Sequence, residues 1–327
     1  MRDGMHAQMR DGCCEAQRRG LRGTQRMTPH RALIALAAVA TLLWATLLSA
    51  ARPAPAQAAA IQVRDDAGRQ VTLPAPARRV VALAPHLTEL VFAAGAGQRL
   101  VGVMRYSDHP AQAAALPVVG DAFAVNLEAL AALQPDLLLV WRSGLNPRQQ
   151  QRLHTLGAPI FESEITTVAG IAETLRRLGQ LLGSQAIAEA QAQRTEAAWD
   201  VLQRRYSKRP PVRVFYQLWH EPLMTVSQGH LIDQAIRACG GVNAFAALPG
   251  LAPTVSWEAA VVADPQVVIT GAAVDEPPRL EGWQRFHQVE AVRKGQLRVL
   301  DGHRLARMTP RFVDGAQALC EAIDGVR

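Results

Sequence analysis

Aromatic, histidine and arginine side chains follow the apolar runs that the sequence predicts to be β-strands. These segments are Met104–Pro110, Trp141-Arg142, Trp219-His220 and Asp301–Arg304. Because ligands of parallel α/β sheets bind beyond the carboxyl ends of the strands, we expect the segments to meet in one site. Their rings can stack on a large flat ligand while arginines contact its polar rim. For any single ring, packing in a core is the simpler explanation, and only the set points to a ligand.

No catalytic motif accompanies these residues. The sequence contains no Gly-x-Ser-x-Gly, no phosphate loop and no Cys-x-x-Cys, and His220-Glu221 has Met224 where a zinc protease needs a second histidine. A site for a free transition metal would gather three or four ligands, for which His86, His220 and His303 are the candidates. The neighbouring Trp and Tyr suit a large organic ligand better. We therefore expect a binding protein, with an exported enzyme as the remote alternative.

The elements that would position these residues are organised around one long polar stretch, Ser184–Tyr206. Ser184 is a suitable N-cap, the interior lacks Gly and Pro, and Pro210-Pro211 ends the helix. At 1.5 Å per residue this helix would span roughly 35 Å, which suits a strut between two bodies. An ordinary surface helix is the alternative. Its few apolar side chains form a sparse stripe of Ile187, Trp199, Val201 and Leu202.

The chain repeats one pattern on the two sides of this stretch. An Asn-Leu-Glu-Ala segment and a Ser-Trp-Glu-Ala segment are each followed, seven residues after the glutamate, by a proline and an apolar run. Each copy predicts a short helix that leads into a buried parallel strand, although one pair of segments can match by chance. With the alternating strands and helices elsewhere, the pattern predicts an α/β fold. We expect two Rossmann-like lobes with mostly parallel sheets, joined by a single long α-helix.

The N-terminal part of the chain predicts export. A basic segment precedes the apolar run Ala32–Ala51, and Ala56-Gln57-Ala58 forms a small-x-small cleavage site, as in a secretory signal peptide. An uncleaved membrane anchor is the alternative. The predicted boundaries are a dispensable extension (1–26), the signal peptide (27–58), an N-terminal lobe (59–183), the linker helix (184–207) and a C-terminal lobe (208–327). Removal of the signal peptide would leave an exported protein.

Export changes how charge and cysteines are interpreted. The segment up to Ala58 carries +5 of the net charge of +7, so the basic balance does not indicate nucleic-acid binding. Only Cys239 and Cys320 follow that segment. In an oxidising compartment such a pair favours one disulfide, here between two helices, with two buried free thiols as the alternative.

From Arg79 to the C-terminus the sequence resembles the periplasmic cobalamin-binding proteins of ATP-driven importers. These belong to the helical-backbone (class III) substrate-binding proteins. The resemblance rests on Tyr106–Pro110, Asn126–Glu128, Pro135-Asp136, Trp141-Arg142, Cys239–Gly241, Val255-Ser256, Glu258 and Pro310-Arg311. It implies a monomer that holds one ligand, cobalamin or a related corrinoid, between two lobes that hinge little. It also implies delivery to an ABC transporter permease dimer with cytoplasmic ATPase subunits.

The resemblance also implies roles for individual residues. The ligand-binding set is Tyr106, Phe123, Trp141 and Arg142 from the first lobe and Trp219, Met224, His303 and Arg307 from the second. Glu128 and Glu258 would dock onto arginines of the two-fold symmetric permease. The alternative is that they are unrelated exposed glutamates, favoured by the dipole at two helix starts. The Cys239–Cys320 pair matches a disulfide of the family, and no cofactor or metal of the protein's own is implied.

The sequence departs from the family pattern at several ligand-facing positions. Ala252-Pro253 stands where a Trp is common, His303 replaces an Asp, Ala122-Phe123 replaces a Trp, and Trp219 occupies a place that is usually smaller. These departures leave haem as the main alternative ligand, with His303 or Tyr106 near its metal. A ferric siderophore or another metal chelate is a further alternative within the same class.

Overall fold

The computed structural model describes residues 60–272 and 279–327, and residues 58–327 cluster into one compact unit. The predicted extension (1–26) and signal peptide (27–58) lie outside the described residues. Within the two described ranges, no helix has the length and apolar character that crossing a bilayer requires.

The first lobe, residues 60–183, is an α/β unit. Its strands are β1 (Ile61–Arg64), β2 (Gln70–Leu73), β3 (Val80–Ala82), β4 (Leu100–Val103), β5 (Leu137–Trp141) and β6 (Ile160–Ser163). Its helices are α1 (Pro85–Ala93), α2 (Leu127–Ala132), α3 (Pro147–His154) and α4 (Val168–Leu182), with 3-10 turns at Gly97–Arg99 and Ala111–Ala115. β1 and β2 form a hairpin, and the other four strands form a parallel sheet in the order β4-β3-β5-β6.

The second lobe, residues 207–327, repeats this organisation. Its strands are β7 (Val212–Gln217), β8 (Trp219–His220), β9 (Leu223–Met224), β10 (Gly241–Asn243), β11 (Val267–Ala272) and β12 (Leu297–Asp301). Its helices are α6 (Leu231–Ala238), α7 (Trp257–Val262), α8 (Glu290–Arg293), α9 (Gly302–Ala306) and α10 (Phe312–Asp324), with a 3-10 turn at Glu281–Trp283. The parallel sheet runs in the order β10-β7-β11-β12, which confirms the predicted α/β fold with two parallel sheets.

One helix connects the lobes. This helix, α5, spans Gln185–Tyr206, which lies one residue inside each end of the predicted linker helix (184–207). Ser184 does not cap this helix as predicted, since its side chain makes no capping hydrogen bond and its hydroxyl is buried. The reason is the tight connection: α4 ends at Gly183 in the left-handed conformation (φ 65°), which leaves Ser184 no extended segment from which to cap.

The buried face of α5 combines small and large residues. The predicted apolar stripe was wrong for Ile187 and Val201, which are 53% and 57% exposed. The buried positions recur every three or four residues and are Ala188, Ala192, Thr195, Trp199, Leu202 and Tyr206. The small side chains lie in the first half of α5, where the helix approaches α4 closely, and the large ones lie in the second half. The helix is therefore packed along its length.

Close packing joins α5 to both lobes. A Cβ added at Gly179 of α4 would lie only 2.5 Å from the Cβ of Ala188, so the two helices approach as closely as this glycine allows. At the other end of α5, Trp199 packs on Phe312 of α10, with ring centroids 6.5 Å apart. One apolar core therefore continues from the first lobe along α5 into the second.

Each parallel sheet is covered on both faces. In β5, Leu137 and Leu139 belong to the core shared with α5, whereas Leu138 and Val140 pack into a separate cluster with Leu130 of α2. Successive side chains of a strand point to opposite faces, so an uninterrupted apolar run is what a doubly covered strand requires.

The repeat seen in the sequence is present in the structure. Asn126 and Ser256 cap α2 and α7 by accepting hydrogen bonds from the third backbone N–H of each helix, at 3.0 and 3.1 Å. Each helix is followed by a left-handed residue, Gln134 (φ 44°) or Asp264 (φ 43°), before the proline that leads into β5 or β11. The two lobes thus present their capped helix starts in equivalent settings.

Cys239 and Cys320 form the predicted disulfide. It joins the end of α6 to the middle of α10, and both residues are fully buried. The alternative of two free thiols is excluded, and the second lobe is cross-linked over a sequence separation of 81 residues.

The close approach of α4 and α5 predicts a reversed effect at Gly179. In an ordinary helix interior, Gly→Ala stabilises by about 0.5–1 kcal/mol. Here the new methyl group meets Ala188, so we expect Gly179→Ala to lower the free energy of unfolding by about 1–3 kcal/mol. Urea unfolding measures the change. Gly170→Ala is the control, because its Cβ would lie no closer than 3.2 Å to another atom. Equal effects at both positions would contradict the packing described.

Candidate functional site

The carboxyl ends of the two sheets border a cavity between the lobes. Its volume is about 160 Å³. The first lobe contributes Trp141 and Ile165, and the second contributes Leu218, Leu231 and Met308, so the walls are largely apolar. The other residues on its border include His230 and Leu305. This is the position at which open α/β sheets bind ligands.

Trp141 brings one predicted ring to this cavity. It is the last residue of β5, its ring is half-buried, and its indole Nε1 is buried without a hydrogen-bond partner among the described residues. The ring of His86 meets it edge-on, with centroids 5.3 Å apart and planes at 89°. An apolar cavity with an aromatic wall is suited to contact with an extended hydrophobic ligand.

Three more of the predicted residues meet at one edge of the interface between the lobes. Arg307 follows α9 in the second lobe, and its Nη2 donates to the backbone carbonyl of Tyr106 at 3.0 Å. The same Nη2 lies 3.3 Å from Nδ1 of His303. Tyr106 has a left-handed backbone (φ 67°), and its side chain is 72% exposed. Its carbonyl therefore faces the second lobe while its ring faces solvent.

The remaining predicted ligand residues lie apart from the cavity. Phe123 is 90% exposed and borders a separate surface pocket with Leu127 and Arg152. Arg142 is exposed, with its Nη1 3.5 Å from the Asp66 carbonyl. Trp219 and Met224 pair across the β8–β9 hairpin, where Trp219 is 53% exposed and donates from Nε1 to the Glu221 carbonyl.

Sequence reasoning missed the acidic partners of Arg307. Nη1 of Arg307 lies 2.6 Å from Oε1 of Glu89 and 2.7 Å from Oδ1 of Asp108. Glu89 lies on α1 and is buried. One feature of the sequence could have indicated this burial and pairing. A glutamate within the apolar run of residues 87–92 is exceptional unless it is paired.

The charges in this network stabilise each other. Burial alone would lower the pKa of Arg307, but hydrogen bonds and the charges of Asp108 and Glu89 raise it above its ordinary value. Burial likewise opposes ionisation of Asp108, yet its bond to Arg307 lowers the pKa of that carboxyl. Arg307 and Asp108 are therefore both charged at neutral pH.

Histidines do not form a metal site here. His220 lies 3.3 Å from Arg279, and His303 and His86 lie beside Arg307 and Trp141 respectively. Across residues 60–272 and 279–327, no group of three or more His, Cys, Asp or Glu is placed to hold a metal ion.

Glu128 and Glu258 occupy equivalent exposed positions in the first turns of α2 and α7. Neither carboxylate forms an ion pair within 4 Å with a described residue. The backbone N–H of Glu258 and the Ser256 hydroxyl lower the pKa of the Glu258 carboxyl, with a smaller contribution from Arg285. Both lobes thus present an exposed carboxylate at a helix start.

Burial of His86 predicts a pH-dependent stability. Removal from water, with the nearby Arg307 charge, lowers the pKa of His86 from 6.5 to about 3. Below pH 6.5 the unfolded chain takes up a proton that the folded protein does not, so stability falls as the pH falls. At pH 5 the loss from this residue is about 2 kcal/mol relative to pH 7.5.

Urea unfolding of the unmodified protein and of His86→Gln at the two pH values measures this contribution. The variant is expected to lose about 2 kcal/mol less than the unmodified protein between pH 7.5 and pH 5. The same pH dependence in both proteins would contradict the assignment.

Comparison with known proteins places this geometry in a family. Residues 80–303 match the family model described as periplasmic binding protein. The chain is 36% identical over 248 residues to the vitamin B12-binding protein of Vibrio cholerae serotype O1, which covers 76% of this chain and 89% of the relative.

Solved structures of periplasmic binding proteins are also similar to this chain. The periplasmic vitamin B12 binding protein of Vibrio cholerae superposes with a TM-score of 0.71 and 34% identity, over 77% of this chain and 98% of that one. A periplasmic heme binding protein from Pseudomonas aeruginosa gives a TM-score of 0.63 and 25% identity, over 76% and 92%. With its two parallel sheets and single connecting helix, this chain belongs to the periplasmic binding protein family.

Proposed function

We propose that this protein captures cobalamin or a related corrinoid between its lobes and delivers it to the permease dimer of an ABC importer, without catalysing a reaction. The observation that carries the proposal is the 36% identity, over 76% of the chain, to a protein named for vitamin B12 binding. We further propose that the signal peptide (27–58) directs the protein to the periplasm, where it acts as a monomer.

The geometry of the cleft is compatible with a tetrapyrrole. Trp141 offers a ring surface at the cavity wall, and Arg307 and the Tyr106 segment border the same interface. Drug-sized ligands occupy pockets of about 300–1,000 Å³, so the cavity of about 160 Å³ must widen to admit a ligand of this size. Binding is therefore expected to move the lobes, or the segments at their carboxyl ends, apart.

Haem is the second candidate ligand. The similarity to a heme binding protein at 25% identity favours it, and the half-buried His303 beside the interface provides an imidazole that can ligate iron. Cobalamin ranks first because its named relative is more similar and is matched over a comparable share of the chain.

A ligand titration decides between these candidates. The purified protein without its leader is titrated with cyanocobalamin, cobinamide, haem and a ferric siderophore, and binding is followed by calorimetry and absorbance. We expect tight 1:1 binding of a corrinoid. Tight binding of haem alone would reject the corrinoid and favour the second candidate, and binding of none would reject both.

A substitution at Trp141 tests whether the cavity is where the ligand binds. If its ring stacks on the ligand, Trp141→Ala should weaken binding by about 1–3 kcal/mol, as base-stacking rings do elsewhere. Trp141→Phe keeps an aromatic face and should retain most of the affinity. Unchanged affinity in the alanine variant would place the ligand elsewhere.

For docking, we propose that Glu128 and Glu258 contact arginines of the permease. Two exposed carboxylates at equivalent positions of two similar lobes match a partner with two-fold symmetry. Their N-caps, Asn126 and Ser256, hold the two helix starts in the same geometry.

Charge reversal tests this docking role. Glu128→Arg with Glu258→Arg should abolish association with the importer in nanodiscs while ligand affinity is unchanged, since neither residue lines the cavity. Asp200→Arg with Asp314→Arg is the control, because it changes the net charge equally at exposed positions on α5 and α10. Association that survives the first pair, or is lost with the second, would refute the assignment.

A further inference from the structure

Polar contacts between the lobes converge on one buried carboxylate. Glu89 lies on α1 of the first lobe, and its side chain is 3% exposed. Arg307 approaches it at 2.6 Å and Arg311 at 3.3 Å, and both arginines belong to the second lobe. Among the described residues, the Glu89 carboxylate has no hydrogen-bond donor from its own lobe.

A buried carboxylate is stable as an anion only when it is paired and hydrogen-bonded. Glu89 therefore depends on contact between the lobes. If the lobes separated, its charge would be left without a partner inside the first lobe or would have to become hydrated. A second tie between the lobes is neutral: the Val168 N–H donates to Gln234 Oε1 at 3.1 Å.

Arg307 is almost fully engaged by protein groups. Arginine has five N–H donors. Nη1 binds Glu89 and Asp108, and Nη2 lies within bonding distance of the Tyr106 carbonyl and of His303. Among the described residues, only the Nε–H of Arg307 has no partner, so both terminal nitrogens that could bind a ligand's polar rim are already occupied.

The two acidic partners of Arg307 differ in their exposure to solvent. Glu89 is buried, whereas the Asp108 side chain is 54% exposed at the edge of the interface. Loss of Asp108 frees one donor of Arg307 without leaving a buried charge unpaired. Loss of the Glu89 charge removes the anion that both arginines share.

We propose that Glu89 is a positioning residue: with Arg307 and Arg311 it forms a clasp that holds the lobes together, and a ligand must release Arg307 from part of this clasp to enter. The competition with ligand rests on the proposed function, whereas the clasp itself does not. The clasp fixes the resting width of the cleft. Asp108 sets how readily Arg307 becomes available to the ligand.

A measurement of the distance between the lobes tests the clasp in the absence of ligand. Spin labels at exposed Gln151→Cys and Gln284→Cys, one in each lobe, report the distance distribution by pulsed EPR. We expect Glu89→Gln to lengthen or broaden the distribution by several ångströms. Arg304→Gln is the control, because Arg304 pairs with Asp301 inside the second lobe at 3.1 Å. A distribution unchanged by Glu89→Gln would overturn the clasp.

A double-mutant cycle covers the case in which Glu89→Gln unfolds. The stabilities of Arg307→Gln, Glu89→Gln and the double variant are compared in the full protein without its leader. If the clasp exists, the double variant loses less free energy of unfolding than the two single variants lose together. If Glu89→Gln cannot be purified, recovery of folded protein in the double variant supports the clasp, and its absence contradicts it.

Stopped-flow mixing with cyanocobalamin tests the competition. Asp108→Asn should accelerate association about 3- to 10-fold, consistent with the loss of one charged hydrogen bond. Arg304→Gln should stay within about 2-fold of the unmodified protein. An unchanged rate in Asp108→Asn would overturn the competition. If the unmodified protein binds no tetrapyrrole, the proposed function fails, whereas the EPR and double-mutant results still decide the clasp.

Discussion

The packing of α5 against both lobes is the constraint on which the architecture depends. Its buried face is continuous with the core of the first lobe through Ala188 and with that of the second through Trp199. Gly179 allows α4 and α5 to lie in close contact, and Arg176 bridges to Glu189 and Glu196 at 2.8 Å. A helix held along its length cannot bend freely, so it limits how far the two lobes can move apart.

Within the limits that α5 sets, the contacts across the cleft determine how far apart the lobes rest. The apolar cavity beside Trp141 and the ion pairs of Glu89 lie in the same interface, and they have opposite effects on the separation of the lobes. Apolar walls favour any ligand that removes their surface from water, whereas the buried charges favour contact between the lobes. The width of the cleft is the outcome of both, on a scaffold that permits little hinge motion.

The elements of the fold were accessible from sequence because local patterns encode them. The uninterrupted apolar run Leu137–Trp141 predicted a doubly covered strand, and a 22-residue helix formed where Gly and Pro were absent. The failures had local causes as well. Ser184 could not cap because Gly183 ends α4 immediately before it. The predicted stripe was right for Trp199 and Leu202, but Ile187 and Val201 are exposed, and Ala188 and Ala192 extend the buried face instead.

Local sequence patterns predicted the two parallel sheets and the connecting helix, favoured the disulfide, and indicated candidate residues at the strand ends. Hydrophobic periodicity acts over short stretches of chain, so these elements can be recognised without knowledge of tertiary contacts. Which candidates meet depends on the packing of the two lobes. That packing brought Arg307 to Glu89, 218 residues apart in sequence, and left Phe123 in solvent. The burial and pairing of a charge depend on how two lobes pack, and no local pattern carries that information.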